Sequence, residues 1–186
     1  VARYLLARGR PTVYRFHDDP AETSVVLLYE RLAQLGVAAP DLPQGPLTPT
    51  QCAQAARDAA AAIGTHVRGH GGGRGLPVLV LQALRQAYYS VDQPTHSGLA
   101  SAAYLHFTSP IRRYPDLVAH RSLLDALGLG GDADDALGCA LAAEQSSLTE
   151  RHAVNVERRA DRVCRAFLVD QVVRQDPDQI FAGEVT

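Results

Sequence analysis

Two adjacent arginines, Arg112 and Arg113, lie between two prolines in the segment 106–121, which reads HFTSPIRRYPDLVAHR. Guanidinium groups donate paired hydrogen bonds in a geometry that matches the oxygens of a phosphate group. The hydroxyl groups of Thr108 and Ser109 stand just before the arginines and add further donors. The segment therefore has the chemistry of a phosphate-binding site.

The prolines indicate how the arginines are held. Ser109 followed by Pro110 is typical of a helix N-cap and first helical position, which predicts a first turn over 111–113 with unpaired backbone N–H groups. Such a turn binds anions. Pro115 disfavours helical geometry at Tyr114 and opens a second helix at once. We therefore expect both arginines on a rigid corner between two helices.

The positive charge of this segment is local. Asp116 is the only acid between Tyr104 and Arg121, an interval with three arginines, whereas the whole chain has a formal net charge of −2. This balance excludes a molecule-wide field that would attract nucleic acid. The residues alone leave open whether the arginines pair with carboxylates elsewhere in the fold. They also leave open whether Tyr104 and Tyr114 stack on bases or pack in the core.

The second candidate is a carboxylate on a long helix, which helical spacing predicts from Ala136 to Val173. A helical wheel predicts one buried apolar stripe, formed by Ala153, Val156, Ala160, Val163 and Phe167. On its flank, Asp161 has Arg158 and Arg165 within helical reach, whereas Glu157 has no arginine three or four residues away. Glu157 therefore either pairs with a distant arginine or serves a ligand or metal site, and the spacing leaves both open.

The remaining elements predict an α+β fold that is predominantly helical. The expected elements are a helix over Val1–Ala7, a strand over Thr12–Phe16, an amphipathic helix through Val25, Leu28, Leu32 and Leu35, and helices over Thr50–Ile63 and Pro77–Tyr88. A broken, turn-containing stretch over 89–104 leads into the arginine pair. The glycine-rich run 66–75 lacks the GK[ST] ending of a phosphate loop, so we expect a flexible surface loop there.

The bulk composition narrows the class of protein. The 186 residues and the 46% hydrophobic content suffice for one sizeable core. Cys52, Cys139 and Cys164 form no CxxC pair, which favours neither a disulfide framework nor a zinc site and fits a reducing, cytoplasmic location. No apolar run approaches the roughly 20 residues of a membrane helix, so we expect no membrane partner.

The segment HFTSPIRRYPDLVAHR resembles the signature of the ribonuclease II and ribonuclease R family, the RNB-domain exoribonucleases. Similar segments are VARYLLARGRPTVYRFHDDP, LPVLVLQALRQAYYS and HSGLASAAYLHF, and SSLTERHAVNVERRADR resembles the family's ERxAxxxER helix. The resemblance implies that residues 1–175 form the C-terminal portion of an RNB catalytic domain. Residues 176–186 would be a linker and the first strand of an OB-fold RNA-binding domain.

The resemblance implies a hydrolytic exoribonuclease that degrades single-stranded RNA from the 3′ end to nucleoside 5′-monophosphates with Mg²⁺. Arg112 corresponds to the family's essential arginine at the scissile phosphate, and Glu157 to its essential glutamate near the 3′-terminal nucleotide. The residues expected to bind RNA beside them are Thr108, Ser109, Arg113, Tyr114, Tyr104 and Arg121.

The family's magnesium-binding aspartates would lie upstream of Val1. No similar aspartate motif occurs in this chain, and Asp132, Asp134 and Asp135 stand in a polar loop where we expect them to be solvated. No metal ligand is therefore assigned. We expect the chain alone to be inactive, and its partners to be single-stranded RNA and the rest of the same polypeptide. A non-catalytic RNA-binding member of the family is the alternative.

Overall fold

Two short strands join the helices of this chain. The computed structural model describes residues 1–70 and 75–181, and in these ranges it has the expected α+β composition, mostly helical with one small sheet. The helices are α1 (Ala2–Leu6), α2 (Glu22–Gln34), α3 (Pro49–His70), α4 (Leu76–Ala83), α5 (Tyr114–Ala126) and α6 (Ala136–Gln175), with a 3₁₀ helix over Ser97–Leu99. No helix within the described ranges combines the length and the apolar character needed to cross a membrane.

The sheet pairs β1 (Tyr14–Phe16) with β2 (Tyr88–Ser90) in antiparallel register, with Arg15 opposite Tyr89. The predicted strand over Thr12–Phe16 is present, although its ladder begins only at Tyr14. The predicted helix over Pro77–Tyr88 is wrong at its end, because α4 stops at Ala83. Tyrosine favours strands, and here Tyr88 and Tyr89 pair with β1 instead of continuing the helix.

Helices α2, α3 and α4 pack together around one apolar cluster. Its buried members are Leu28, Leu32, Val37, Ala59, Ile63 and Ala83. Leu35, predicted on the same stripe, is 52% exposed because α2 ends at Gln34 and the chain turns at Gly36 with φ +69°.

Helix α3 continues to His70, so the loop predicted over 66–75 is wrong in its first half. Val67 packs against the cluster and explains the extension, whereas 71–74 lie outside the described residues.

A second cluster joins the sheet to α5 and to the first turns of α6. It contains Val13, Tyr89, Val118, Cys139, Ala142 and Ala143. Ser147 closes this contact, because its hydroxyl oxygen accepts a hydrogen bond from the backbone N–H of Tyr89 at 2.9 Å. The beginning of α6 is thereby fixed against β2.

The long helix predicted over 136–173 is present, but its predicted buried stripe is wrong. Val163 is 69% and Phe167 61% exposed, and Ala153, Val156 and Ala160 are exposed as well. The wheel identified an apolar face correctly, but no other described element reaches past Glu150 to cover it. Most of the strand predicted from Ile180 onward lies in 182–186, outside the described residues.

Leu32 and Leu35 allow a direct test of the α2 boundary. Leu32→Ala leaves a cavity in the packed cluster and is expected to lower the free energy of unfolding by about 2–5 kcal/mol. Leu35→Ala removes the same atoms from an exposed position and should change it by less than about 0.5 kcal/mol. Urea denaturation of both variants measures the difference, and equal losses would contradict the boundary at Gln34.

Candidate functional site

The arginine segment is organised by Asp116, which is completely buried in the first turn of α5. Its Oδ1 accepts hydrogen bonds from the backbone N–H of Ser109 at 2.7 Å and from Nη2 of Arg113 at 2.8 Å. Its Oδ2 accepts a hydrogen bond from Nε of Arg113, also at 2.8 Å. A carboxylate at this position also meets the positive end of the helix. The corner that carries the arginines is therefore fastened to α5 by one buried charge.

The corner is held by hydrogen bonds to Asp116, but its backbone differs from the expectation. Arg113 is the extended residue, with φ −129° and ψ 112°, and Tyr114 already begins α5. The backbone N–H groups of Arg112 and Arg113 both donate to the carbonyl of Ser109, at 3.2 and 3.1 Å. These N–H groups are therefore paired within the turn, and the prediction of free N–H donors is wrong for them. Anion binding at this corner depends on side chains.

The two arginines have different roles. The guanidinium of Arg113 is held by the two oxygens of Asp116, and this hydrogen bonding raises the pKa of Arg113. The sequence left open whether the arginines pair with carboxylates, and Arg113 is one that does. Arg112 is exposed, and its side chain has no hydrogen bond or ion pair with any described residue. Arg112 is therefore the cation available to a ligand.

Arg112 lines a cavity of about 400 Å³ between the corner and α6. The lining residues are Tyr89, Arg112, Arg113, Tyr114, Pro115, Ser146, Thr149, Glu150 and Ala153. Tyr114 is 48% exposed, so its ring is accessible beside the free guanidinium. Among the described residues, Thr108 and Ser109 do not line this cavity, so the structure does not bring their hydroxyls to it.

Glu157 lies beyond the cavity on the free half of α6, the exposed part from residue 151 to Gln175. It is exposed, and it has no side-chain partner among the described residues, in agreement with its lack of a nearby arginine. At 3.6 residues per turn, Glu157 is about five turns after the buried Cys139 and points to the same side of the helix. It is one turn beyond Ala153, which lines the cavity. The structure therefore places Glu157 next to the cavity and on the face that continues the packed one.

One ion pair at this cavity was missed by the sequence reasoning. Nη1 of Arg15, in β1, lies 2.6 Å from Oε2 of Glu150, in α6, with the two side chains 13% and 31% exposed. The Arg15 guanidinium also covers the ring of Tyr89, 4.7 Å from its centroid. The available signal was a charged residue in the middle of a predicted strand, but 135 residues separate the partners.

Tyr104 is not brought to the cavity of Arg112. Its ring packs edge-on against His96 and His106, at 5.1 and 5.9 Å between centroids. His106 shares a hydrogen bond of 3.0 Å between its Nδ1 and the Tyr89 hydroxyl. Burial, together with the charges of Arg113 and Arg15, lowers the pKa of His106 to about 4. His106 is therefore neutral near pH 7 and adds no positive charge.

Arg121 lies farther along α5 and faces the loop before α6. Its Nη1 is 3.8 Å from Oδ2 of Asp134, and the Asp134 side chain is only 25% exposed. Asp135 caps α6, because its Oδ1 accepts a hydrogen bond from the backbone N–H of Gly138 at 2.7 Å. The prediction that Asp134 is solvated is wrong, whereas Asp135 is exposed, as predicted, and also caps the helix. Asp132 is exposed, as predicted.

The described residues do not form a magnesium site. Within residues 1–70 and 75–181, no three His, Cys, Asp or Glu side chains are grouped so that they could hold a metal ion. Two carboxylates near Arg112 already form ion pairs, Asp116 with Arg113 and Glu150 with Arg15. The chemistry that the described residues offer at the cavity is that of one free cation, an accessible aromatic ring and a nearby carboxylate.

Asp116 and Asp125 provide a matched test of the corner. Asp116→Asn removes the charge that pairs with Arg113 and is expected to lower the free energy of unfolding by about 3 kcal/mol. Asp125, on the same helix as Asp116, forms an exposed pair with Arg10. Asp125→Asn breaks that pair and should lower the free energy of unfolding by less than about 1 kcal/mol. Chemical denaturation of the purified chain checks both values, and a loss below 1 kcal/mol for Asp116→Asn would contradict its central place.

Comparisons with known proteins identify the family of the chain. The family model described as the RNB domain matches residues 1–128. The chain is 31% identical over 188 residues to ribonuclease R 1 of Lactococcus lactis, covering 98% of this chain and 22% of the relative. It is 32% identical over 184 residues to ribonuclease R of Escherichia coli, covering 92% and 21%. The chain thus spans about a fifth of the length of these curated relatives.

Solved structures of Mycoplasma genitalium RNase R have the same fold. The structure in complex with double-stranded RNA matches with a TM-score of 0.73 and 26% identity, covering 99% of this chain and 32% of that one. The complex with ribose-methylated single-stranded RNA matches with a TM-score of 0.70 and 27% identity, covering 91% and 26%. The family model, the relatives and the fold agree, and the chain belongs to the RNB-domain family of ribonuclease R.

Proposed function

We propose that the protein to which this chain belongs is a hydrolytic 3′–5′ exoribonuclease of the cytoplasm. It degrades single-stranded RNA to nucleoside 5′-monophosphates and requires Mg²⁺, held mainly by residues outside this chain. Membership of the RNB-domain family supports the general activity, and the RNA complexes of a related RNase R support RNA as the partner. This chain would supply one wall of the active site and adjoin the rest of the same polypeptide.

The observation that carries the proposal is the isolated charge of Arg112. The neighbouring cations Arg113, Arg15 and Arg121 are each paired with a carboxylate, so one guanidinium is left uncompensated at the cavity. A phosphodiester carries one negative charge, which one free guanidinium matches with two parallel hydrogen bonds. The cavity is therefore suited to a single backbone phosphate and not to a highly charged anion.

Arg112 would act on the phosphate that is cleaved. Negative charge builds up on the phosphoryl oxygens as the nucleophile attacks, and a guanidinium beside them stabilises that charge more than the charge of the ground state. The corner is fastened by Asp116, so the backbone that carries Arg112 needs little reorganisation at that moment. Arg113 contributes by holding the corner, and a direct contact with RNA is not needed for this role.

Tyr114 and Glu157 would flank the reacting phosphate. The accessible ring of Tyr114 offers a stacking surface for a base, which is a sequence-independent way to hold single strands. The Glu157 carboxylate is unpaired among the described residues and can accept hydrogen bonds from the ribose hydroxyls of the terminal nucleotide. Both contacts suit an enzyme that accepts RNA of any sequence. Thr108, Ser109, Tyr104 and Arg121 are expected to contribute less, because they lie outside this cavity.

Replacing Arg112 tests the proposal in the full-length protein. Arg112→Ala is expected to lower kcat at least about 100-fold, because it removes a donor to the charge of the transition state. RNA affinity should fall much less, because other contacts along the strand persist. Single-turnover release of mononucleotides from a labelled oligonucleotide, together with equilibrium binding of the same oligonucleotide, separates the two effects.

Arg31→Ala is the matched control, because it removes an exposed arginine on α2 that bonds only to Gln82 among the described residues. It should leave turnover and binding unchanged. An equal loss of turnover and binding in Arg112→Ala would indicate a binding role, and no loss of either would refute the assignment. Wild-type protein that binds RNA but releases no nucleotides would favour the non-catalytic alternative.

The chain of 186 residues is predicted to be inactive by itself. Its described residues provide the arginine and glutamate wall but no group of side chains that could hold Mg²⁺. Incubation of the purified chain with single-stranded RNA and Mg²⁺ should release no nucleotides, whereas full-length protein at the same concentration should degrade the RNA. Magnesium-dependent release of mononucleotides by the chain alone would contradict this prediction.

A further inference from the structure

We propose that Arg15 and Glu150 are positioning residues that set the direction of α6 and thereby hold Glu157 at the cavity of Arg112. The inference rests on the proposed function, because it assigns the pair a purpose in that reaction. It concerns an ion pair that joins the sheet to the long helix at the wall of the cavity.

Glu150 marks the last firm contact of α6 with the described fold. The buried residues of the helix are Cys139, Ala142, Ala143 and Ser147. From residue 151 to Gln175, every side chain except the half-buried Val154 is exposed. The direction of this free half is therefore set by the contacts of the packed half, of which those at Ser147 and Glu150 are the last. Glu157 lies on the free half, so its place depends on them.

The partner of Glu150 is itself held firmly. Arg15 lies on β1 opposite Tyr89 of β2, and its guanidinium covers the Tyr89 ring. The Tyr89 hydroxyl is bonded to His106, and its backbone N–H is bonded to Ser147. Arg15 is only 13% exposed, and Glu150 is its ion-pair partner among the described residues. The pair thus connects α6 to a fixed point of the sheet.

Glu157 lies far enough from the pair that a small tilt of α6 at Glu150 displaces it appreciably. Glu157 follows Glu150 by about two turns, on the same face and roughly 10 Å farther along the axis. A tilt of about 5° at Glu150 therefore moves Glu157 by about 1 Å over two turns of helix. A displacement of about 1 Å in an active site costs up to about 100-fold in rate. Loss of the pair should therefore slow the reaction although neither residue touches the reacting atoms.

The pair also allows positioning to be distinguished from a charge effect. Glu150→Gln leaves an extra positive charge beside Arg112, whereas Arg15→Gln leaves an extra negative charge. An electrostatic effect on RNA would change the KM of the two variants in opposite directions. A positioning effect lowers kcat in both variants and leaves KM nearly unchanged.

The experiment measures kcat and KM for RNA in the full-length protein at a temperature well below the unfolding transition of every variant. Glu150→Gln and Arg15→Gln are each expected to lower kcat by about 10- to 100-fold, with KM within about twofold. The double variant should be no slower than the single variants, because both remove the same connection. Asp170→Asn and Arg174→Gln break an exposed pair on the same helix with matched charge changes and should leave kcat unchanged.

A distance measurement tests the inference without activity. Cys164 is exposed on the free half of α6, so a spin label there can be paired with one at Gln34→Cys in α2, with other exposed cysteines of the full-length protein replaced. Glu150→Gln should shift or broaden the distance distribution, and Asp170→Asn should not. An unchanged distribution would overturn the inference whatever the activity. Active wild-type protein with equally active pair variants would also overturn it, whereas inactive wild-type protein would refute the proposed function.

Discussion

The buried carboxylate of Asp116 is the interaction on which this wall of the site depends. A charge with no exposure to water is tolerated only when nearby donors replace its hydration. Here the donors are the Arg113 guanidinium and the backbone N–H of Ser109. Because both donate to Asp116, this one carboxylate holds the two ends of the corner, Ser109 and Arg113. The backbone of Arg112, between them, is placed by this corner, whereas its exposed side chain makes no bond with any described residue.

Of the arginines at the corner, on β1 and on α5, Arg112 alone has no carboxylate partner among the described residues. Arg15, Arg113 and Arg121 are balanced by Glu150, Asp116 and Asp134, and His106 is kept neutral by burial. A segment that appears in the sequence as a basic cluster is thus, in three dimensions, a set of neutral pairs with one free guanidinium. One free guanidinium suits the single charge of a phosphodiester, the ligand that we propose for this cavity.

The sequence predicted what depends on near neighbours. The corner between Pro110 and Pro115, the length of α6 and the pairing of Asp161 with Arg165 follow from spacings of a few residues. Asp116 lies three residues after Arg113, so that pairing could also have been found from helical spacing.

What depends on distant partners could not be predicted in the same way. A helical wheel shows which face of α6 is apolar but not what covers it, and so the buried stripe was assigned wrongly. The strand β2 was not predicted, and its first residue, Tyr88, was taken as the end of a helix, because its partner β1 lies more than 70 residues earlier. The Arg15–Glu150 pair at the site joins residues even farther apart.

The free half of α6 supports itself by local bonds. Asp161 with Arg165 and Asp170 with Arg174 are pairs with the acid one turn before the base, the order that stabilises an isolated helix best. One continuous helix therefore contains two regions of different local stability. Backbone amides between Ala142 and Ser147 are expected to exchange hydrogen only when the domain opens, whereas those beyond Glu150 are expected to exchange whenever the helix frays. In this chain, Glu150 is the boundary between these two modes of opening.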